Sequence, residues 1–336
     1  MSGTRASDST TLGNLDTAKE QSMLAMTQRG LVRLAGTLAV CWLGLGPLAA
    51  AAADGQQSFT GPGAALDALL AAVRASDAAA FDAIFGPGSE DLRSSGDPVA
   101  DKAVREKFLD AAEDNTGLVY DGPDRVLLSF GDDDWPFPIP LVKSAKGWVF
   151  DTAAGKDEII NRRIGRNELH AIAVVRGIVD AQEEYAATDP TGFGVRQYAQ
   201  RILSSPGQRD GLFWKSDAND SPLGELVAVA VKEGYGGADT SKPVPYHGYY
   251  FRLLKEQGKS APGGAKSYLK DGKLTGGFAV VAWPADYGNS GIKTFIVNQR
   301  DLVFEKDLGA DTETLAKALT AYDPDDSWDP VEEPAD

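Results

Sequence analysis

The stretch Gly277–Leu308 limits the possible folds most, because it holds three runs of β-forming residues with two short turns between them. Phe278–Trp283, Ile292–Val297 and Leu302–Lys306 are rich in β-branched and aromatic residues, which fit a pleated surface. Pro284 ends the first run because proline lacks the N–H group that a strand ladder needs. Runs joined by connections this short form antiparallel neighbours. The stretch therefore predicts a three-stranded meander.

The connection between the first two predicted strands carries the candidate contact residues. It contains the sequence GNSG at 288–291, and glycine and asparagine tolerate positive φ, so a turn is expected here. The spacing Gly-x-Ser-x-Gly of a nucleophile elbow is not met. The alternative to a plain turn is a ligand- or partner-contact loop that uses Asp286, Tyr287 and Asn289.

A long amphipathic helix is predicted ahead of the meander. Apolar residues recur at steps of three and four from Asp157 to about Thr188, and charged residues occupy the opposite face. The run Tyr249–Leu254 adds a fourth strand, and the polar, glycine-rich stretch Lys255–Gly276 is expected to be an exposed loop. Residues 155–321 are therefore predicted to form a long helix packed on a four-stranded antiparallel sheet.

The preceding part, residues 54–154, predicts helices followed by strands. A helical pattern covers Pro62–Phe85 with a break at Asp77, and Asp97 precedes Pro98 as the expected N-cap of a further helix. Three β-like runs follow, at Arg125–Phe130, Phe137–Val142 and Trp148–Asp151. Helices followed by a curved antiparallel sheet indicate an α+β fold for this part as well.

The segment 26–53 has the organisation of a secretory signal peptide. Arg29 and Arg33 are followed by an apolar run and then by small residues that suit a cleavage site near Ala53 and Asp54. The apolar run is shorter than the roughly 18–20 residues of a membrane span. We therefore expect export to the periplasm, with no membrane span after cleavage.

The start of the chain and the type of signal leave alternatives open. Residues 1–25 are polar, and they are either an extended leader or the result of a misassigned start, with Met26 as the true one. Lipidation of Cys41 is the alternative to simple cleavage, but Val40 is larger than the residue usually found before a lipidated cysteine. Simple cleavage is the expectation.

Cysteine content and charge narrow the function classes. Cys41 is the single cysteine and lies within the predicted signal, so the exported chain is expected to have neither a disulfide nor a thiol nucleophile. The formal net charge of −16 disfavours binding to nucleic acids or to anionic lipid. Acidic residues and prolines dominate 322–336, which is therefore predicted to be a disordered tail.

No constellation of residues in the sequence indicates catalysis or a bound cofactor. The chain has two histidines, His170 and His247. Neither has a second histidine at the spacing of a zinc protease, so a structural or surface role is expected for each. The acids at 132–134 and in the tail lack the pattern of a calcium-binding EF-hand. We therefore predict no catalytic residues, no metal and no cofactor.

Four segments carry a resemblance to a known family. They are NELHAIAVVRGIVDAQEEYAATDPTGFG from 167, GYYFRLL from 248, FAVVAWPADYGNSGIKTFIVNQ from 278 and LVFEKDLG from 302. With these the chain resembles the bacterial secreted family called domain of unknown function 2950, and the likeness extends over nearly all of the chain after the signal. The family has no established activity, so the resemblance implies a fold and a location.

Each half also resembles a known architecture. In the long helix, Ala171, Ile172 and Val175 begin a pattern similar to that of the soluble part of type IV pilin-like proteins, in which a helix packs on a four-stranded antiparallel sheet. The chain departs from pilins in having a soluble domain where they have an apolar anchoring helix, which argues against filament assembly. The opening helices, AAVRASDAAAFDAIFG from 71, are similar to those of the NTF2-like cone fold.

Together these features predict an exported α+β protein that acts as a non-enzymatic binding or interaction protein of the cell envelope. Its partner would be an unknown envelope protein or a small ligand. The alternative is a small-ligand binder or an enzyme that uses an NTF2-like cone in residues 54–154.

Overall fold

The computed structural model describes residues 55–216, 220–235 and 244–332. The predicted leader and signal peptide lie outside these described residues. Contacts group Ala49–Val331 into one unit, and the other unit, Met1–Leu48 with Glu332–Asp336, is described at Glu332 alone. In the described part of the chain, no helix has both the length and the apolar composition that crossing a membrane requires.

The N-terminal part begins with helices whose ends follow from the sequence. They are α1 (Pro62–Ala75), α2 (Ala78–Phe85), α3 (Glu90–Arg93) and α4 (Pro98–Asp114). Ser76 ends α1 in the left-handed conformation at φ 51°, and the Asp77 carboxylate caps α2 by accepting from the Ala80 N–H at 3.0 Å. The predicted break at Asp77 and the predicted cap at Asp97 are both confirmed.

An antiparallel sheet follows these helices. Its strands are β1 (Thr116–Tyr120), β2 (Arg125–Phe130), β3 (Trp135–Pro136), β4 (Leu141–Ser144) and β5 (Gly147–Phe150). They lie in the order β1-β2-β4-β5, with β3 paired to β2. The strand predicted at Phe137–Val142 begins only at Leu141, because Pro138 and Pro140 have no N–H for a ladder. The sequence analysis missed β1, a half-exposed edge strand without clear alternation.

Phenylalanine rings fill the space between the helices and this sheet. The centroid of the Phe85 ring lies 4.6 Å from that of Phe81 and 4.9 Å from that of Phe150. The Phe137 ring packs 6.4 Å from Phe85 and 6.0 Å from Phe108. An NTF2-like cone that held a ligand would need an open, concave interior. Aromatic side chains occupy that interior here.

A single helix, α5 (Thr152–Thr188), continues from the first sheet into the second half of the chain. It begins earlier than predicted, because the Asp151 carboxylate accepts from the Ala154 N–H at 3.2 Å and caps an additional turn. Gly155 permits close packing on the chain before β4, since a Cβ at this position would lie 2.6 Å from Ile139 Cα. The predicted boundary between two domains falls within the first turn of this helix.

The second half of the chain is built from short elements and a second sheet. In chain order the elements are β6 (Arg201–Leu203), β7 (Gly211–Phe213), α6 (Gly224–Glu233), β8 (Tyr249–Leu254), β9 (Glu256–Gln257), β10 (Lys266–Ser267), β11 (Leu269–Lys270), β12 (Lys273–Leu274), β13 (Ala279–Pro284), β14 (Lys293–Asn298), β15 (Phe304–Asp307), α7 (Thr312–Ala318) and β16 (Asp329–Pro330). The second sheet has the order β16-β15-β14-β13-β8.

The predicted meander is confirmed as β13, β14 and β15, which pair antiparallel in sequence order. Pro284, expected to lie beyond the first strand, is its last residue and pairs with Tyr249 of β8. All six residues of β13 are buried, and α5 and α7 both pack against this strand. The Glu168 side chain of α5 accepts from the N–H groups of Ile292 and Lys293, each at 2.9 Å, and so fixes the start of β14.

Two predictions about irregular segments are wrong. The stretch Lys255–Gly276 is not simply an exposed loop, because β9 pairs with β10, β11 pairs with β12, and Tyr268 is fully buried. In the predicted disordered tail, Tyr322 and Trp328 are buried and β16 pairs with β15. The acid-rich composition pointed to disorder, but these two aromatic side chains attach the segment to the sheet. Residues 333–336 lie outside the described part.

Replacing Trp328 with alanine should lower the free energy of unfolding by about 3 kcal/mol. The indole is buried, and the Lys306 ammonium lies 5.7 Å from the centroid of its ring. Leu302→Ala is the matched control, because the Leu302 side chain is 57% exposed, and its effect should stay within about 0.5 kcal/mol. Urea denaturation followed by circular dichroism measures both. Equal effects would contradict the packing of this segment.

Candidate functional site

The predicted contact loop joins β13 to β14, and its three candidate residues have different surroundings. Asp286 and Tyr287 line a shallow surface pocket of about 250 Å³. The Tyr287 hydroxyl donates to the Asp307 carboxylate at 3.0 Å, and this hydrogen bond raises the pKa of Tyr287. The pocket is completed by Pro284, Ala285, Ala310 and Glu313.

Asn289 belongs to a set of contacts centred on the buried Arg163 of α5. The Asn289 Oδ1 accepts from Arg163 Nη1, and its Nδ2 donates to Asp286 Oδ2 at 2.9 Å. Arg163 Nη2 also donates to the carbonyl oxygens of Asp91 at 2.7 Å and Leu92 at 3.3 Å, both in α3. Arg163 thereby satisfies carbonyls at the end of this short helix. Asn289 therefore has a structural contact and does not share the pocket.

The structure brings together the two histidines that the sequence analysis treated separately. His170 lies on α5 and His247 lies in the turn before β8, with ring centroids 4.3 Å apart in an edge-to-face arrangement. The rings of Tyr235 and Tyr246 pack against His247, at 5.3 Å and 4.3 Å between centroids. We call these four side chains the ring cluster. The His247 Nε2 lies 3.2 Å from Glu233 Oε2 at the end of α6.

A buried carboxylate, Asp97, lies beside the ring cluster. Its Oδ1 accepts from the N–H groups of Val99 and Ala100 at 3.1 Å and 3.0 Å, which caps α4. Its Oδ2 accepts from the Tyr235 hydroxyl at 2.7 Å and from the Gly248 N–H at 3.1 Å. Asp97 is 2% exposed. One side chain therefore caps a helix and fixes two residues that follow it by more than 130 positions.

The turn that carries His247 is held in place by further hydrogen bonds. The Ser290 Oγ donates to the Gly248 carbonyl at 3.0 Å, and Asn167 Nδ2 on α5 donates to the Ser290 carbonyl at 2.9 Å. Both His247, at φ 46°, and Gly248, at φ 75°, adopt the left-handed region. A Cβ at Gly248 would lie 2.8 Å from Asn167 Nδ2, so this position requires glycine.

Both histidines of the ring cluster are neutral at pH 7. Burial lowers the pKa of His170 to about 4, and the charges of His247, when protonated, and of Arg166 act in the same direction. Burial also lowers the pKa of His247, with a contribution from Arg166 that opposes the effect of Asp97. The His170 Nδ1 is buried and has no hydrogen-bond partner among the described residues.

The tyrosines of the ring cluster are held in their protonated form. Burial and the hydrogen bond to Asp97 raise the pKa of Tyr235. Burial and the charge of Glu233 raise the pKa of Tyr246. The cluster therefore offers hydrogen-bond donors, neutral rings and one nearby cation, Arg166. Within the ranges that the structure covers, no group of three or more His, Cys, Asp or Glu side chains is placed to hold a metal ion.

Comparison with known proteins gives a family for the chain. The sequence model of the family described as "Protein of unknown function (DUF2950)" matches residues 56–331. The chain belongs to this family. No curated protein and no solved structure matches the chain. The DUF2950 match includes both the ring cluster and the contact loop.

The sequence of this DUF2950 protein could not reveal the ring cluster, because its members come from separate elements. His170 and His247 are 77 positions apart, and no local pattern relates a helix position to a residue in a turn. The one local signal nearby was the expected N-cap at Asp97, since Asp followed by Pro typically starts a helix. That signal predicted the cap but not the second oxygen of Asp97, which binds Tyr235 and Gly248.

Removing Asp97 should destabilise the protein more than removing an ordinary helix cap. Asp97→Ala leaves two helix N–H groups, the Tyr235 hydroxyl and the Gly248 N–H without their acceptor, so we expect unfolding to become easier by about 3 kcal/mol. Asp77→Ala, at an exposed cap with one hydrogen bond, is the matched control at about 1 kcal/mol. Chemical denaturation compares the two.

A double-mutant cycle separates the cap from the long-range contact. Tyr235→Phe removes the hydroxyl and should cost about 1–2 kcal/mol. In the Asp97→Ala background the same change should cost less, because the shared hydrogen bond is lost only once. Strict additivity would contradict the contact between Asp97 and Tyr235.

The stability of the folded protein should decrease as the pH falls below the pKa of an ordinary histidine. Unfolded His170 has a pKa of 6.5, whereas folded His170 has a pKa of about 4. Between these values the unfolded state binds a proton that the folded state does not, so stability is fully present above 6.5 and is lost on the way to 4. The loss amounts to about 2–3 kcal/mol.

His170→Gln tests this pH dependence, because glutamine has no proton to bind. Urea denaturation at a series of pH values between about 7 and 5 should give a flatter profile for the variant than for the wild type. Asp77→Ala keeps both histidines and should retain the slope of the wild type. An unchanged slope in His170→Gln would contradict the shifted pKa of His170.

Proposed function

We propose that this DUF2950 protein is exported to the periplasm and acts there by binding, without a reaction of its own. The observation that carries the proposal is the saturation of Asp97, whose two oxygens accept four hydrogen bonds. A carboxylate has about four acceptor sites, and a general base needs a free one near the proton that it removes. His170, with a pKa of about 4, is a weak base at neutral pH.

Export is supported by the sequence of residues 26–53. This segment has basic residues, then an apolar run, then small residues, in the order of a signal peptide. The acidic net charge of −16 is compatible with a freely diffusing periplasmic protein that avoids anionic lipid.

The pocket beside Asp286 and Tyr287 is the surface that we propose for the partner. Both side chains lie in a connection between strands, where a rigid sheet can present a contact loop. The carboxylates of Asp286 and Glu313 favour a partner that presents hydrogen-bond donors or a positive charge. An envelope protein and a small ligand both fit this chemistry.

The packing of the N-terminal half argues against the alternative of a ligand-binding cone. The rings of Phe81, Phe85, Phe108, Phe137 and Phe150 occupy the interior in which such a ligand would bind. For the second half, we propose a pilin-like architecture without filament assembly. The packing of α5 against β8, β13 and β14 supports this proposal.

Cell fractionation tests the export. Expressed at full length in a bacterium with two membranes, the protein should be recovered in the osmotic-shock fraction, with its mass shortened near Ala53 and Asp54. Leu38→Arg interrupts the apolar run and should leave the protein uncleaved in the cytoplasm. An uncleaved wild-type chain in the cytoplasm would refute export.

Cross-linking in the envelope fraction tests the binding. We expect a reproducible cross-linked species that decreases at least about tenfold when Asp286 and Tyr287 are both replaced by alanine, which corresponds to roughly 1.4 kcal/mol. Asp132→Ala, at an exposed acid outside the pocket, is the control and should retain the species. If no species forms, or if the double variant retains it, the binding proposal for this pocket is wrong.

A further inference from the structure

Arg166 is a half-buried cation without a counter-ion. It lies on α5, where burial lowers its pKa, and it forms no hydrogen bond or ion pair with any residue in the described ranges. Arg163, one turn earlier on the same helix, contrasts with it, because its guanidinium is bound by Asn289 and by backbone carbonyls. Removing a guanidinium from water without an acceptor is unfavourable. Arg166 therefore has the capacity to bind an acceptor from outside the chain.

His170 is the next side chain on the same face of α5. It follows Arg166 by four positions, the spacing at which helix side chains are neighbours. Its Nδ1 is a second buried polar atom that no described residue satisfies. The charge of Arg166 acts on both His170 and His247, so the guanidinium lies near the two rings.

The acids close to this place are already engaged. The Glu233 carboxylate lies 3.2 Å from His247 Nε2, and it accepts from the Tyr246 hydroxyl at 3.3 Å. Both oxygens of Asp97 are saturated by donors. The ionisable groups around His170 are Arg163 and Arg166 on α5, Glu233 on α6, Asp97 at the start of α4, and Tyr235, Tyr246 and His247 around the turn before β8.

We propose that Arg166, His170 and His247 form a binding site for an oxyanion, namely a carboxylate or phosphate group of a small ligand. The guanidinium supplies the charge and planar donors that match such a group. The imidazoles add donors once they take up a proton. The pocket beside Asp286 has carboxylates instead and would repel the same ligand, so this site goes beyond the proposed partner surface.

Binding at this site is coupled to proton uptake. An anion beside His170 favours the imidazolium form and raises the pKa of that ring in the complex. The affinity for the anion should therefore increase as the pH falls from about 7 to about 5, and release should follow as the pH rises. At pH 7 the neutral rings leave Arg166 as the main attraction.

Nuclear magnetic resonance of the two histidine rings tests the site directly, since the chain has two histidines and His247→Gln assigns their signals. The rings are titrated with pH in the full chain, without added anion and with inorganic phosphate or acetate at tens of millimolar. We expect at least one of the two anions to raise the pKa of His170 by about one unit or more. A response to phosphate alone or to acetate alone identifies the preferred oxyanion and supports the site.

Variants of Arg166 separate this site from non-specific ion effects. Arg166→Gln should raise the pKa of His170 in the absence of anion, because a positive charge is removed, and should abolish the response to either anion. Arg166→Lys should keep a weaker response. The matched control is Arg162→Gln, at an exposed arginine that pairs with Glu158 at 2.7 Å, and it should respond like the wild type.

Two results would overturn the site. One is a His170 pKa that neither phosphate nor acetate changes in the wild type. The other is a folded Arg166→Gln variant, with dispersed ring signals, that responds as strongly as the wild type. Neither result bears on export or on the pocket beside Asp286, which cell fractionation and cross-linking test separately.

Discussion

The hydrogen bonds of the Asp97 carboxylate are the interaction on which the arrangement around the ring cluster depends. In a buried environment a carboxylate must be met by donors, and four donors from three separate parts of the chain converge on this one. They fix the start of α4, the tyrosine after α6 and the turn before β8. The same turn is bound to Ser290, so the contact loop between β13 and β14 is positioned by the same network.

Local features of the sequence predicted a large part of the fold. The strands of the meander and the caps at Asp77 and Asp97 depend on residues within a few positions of one another, and periodicity and capping preferences describe such positions well. The tail failed for the opposite reason. Its acidic composition is a local property, whereas the burial of Tyr322 and Trp328 depends on strands that precede them in the chain.

The candidate site was beyond the reach of sequence reasoning for the same physical reason. Each histidine was assigned a structural or surface role because it lacked a partner nearby in the chain. The partners are supplied by the packing of α5 against the turn before β8. Of the predicted contact residues, Asp286 and Tyr287 share a pocket, whereas Asn289 is bound by Arg163. Two arginines one turn apart on α5 thus differ completely in surroundings, which no pattern of charges in the helix indicates.

The continuity of α5 has a consequence for how the protein unfolds. The helix spans 37 residues; Ile159 near its start packs against the first hydrophobic core, and its middle and end, from Ala171 to Tyr185, belong to the second. Loss of either core would expose one part of a continuous hydrogen-bonded ladder and favour fraying of the rest. The two cores therefore share one cooperative element. Cutting the chain within α5 would leave each fragment with an uncovered apolar helix face rather than with an independent domain.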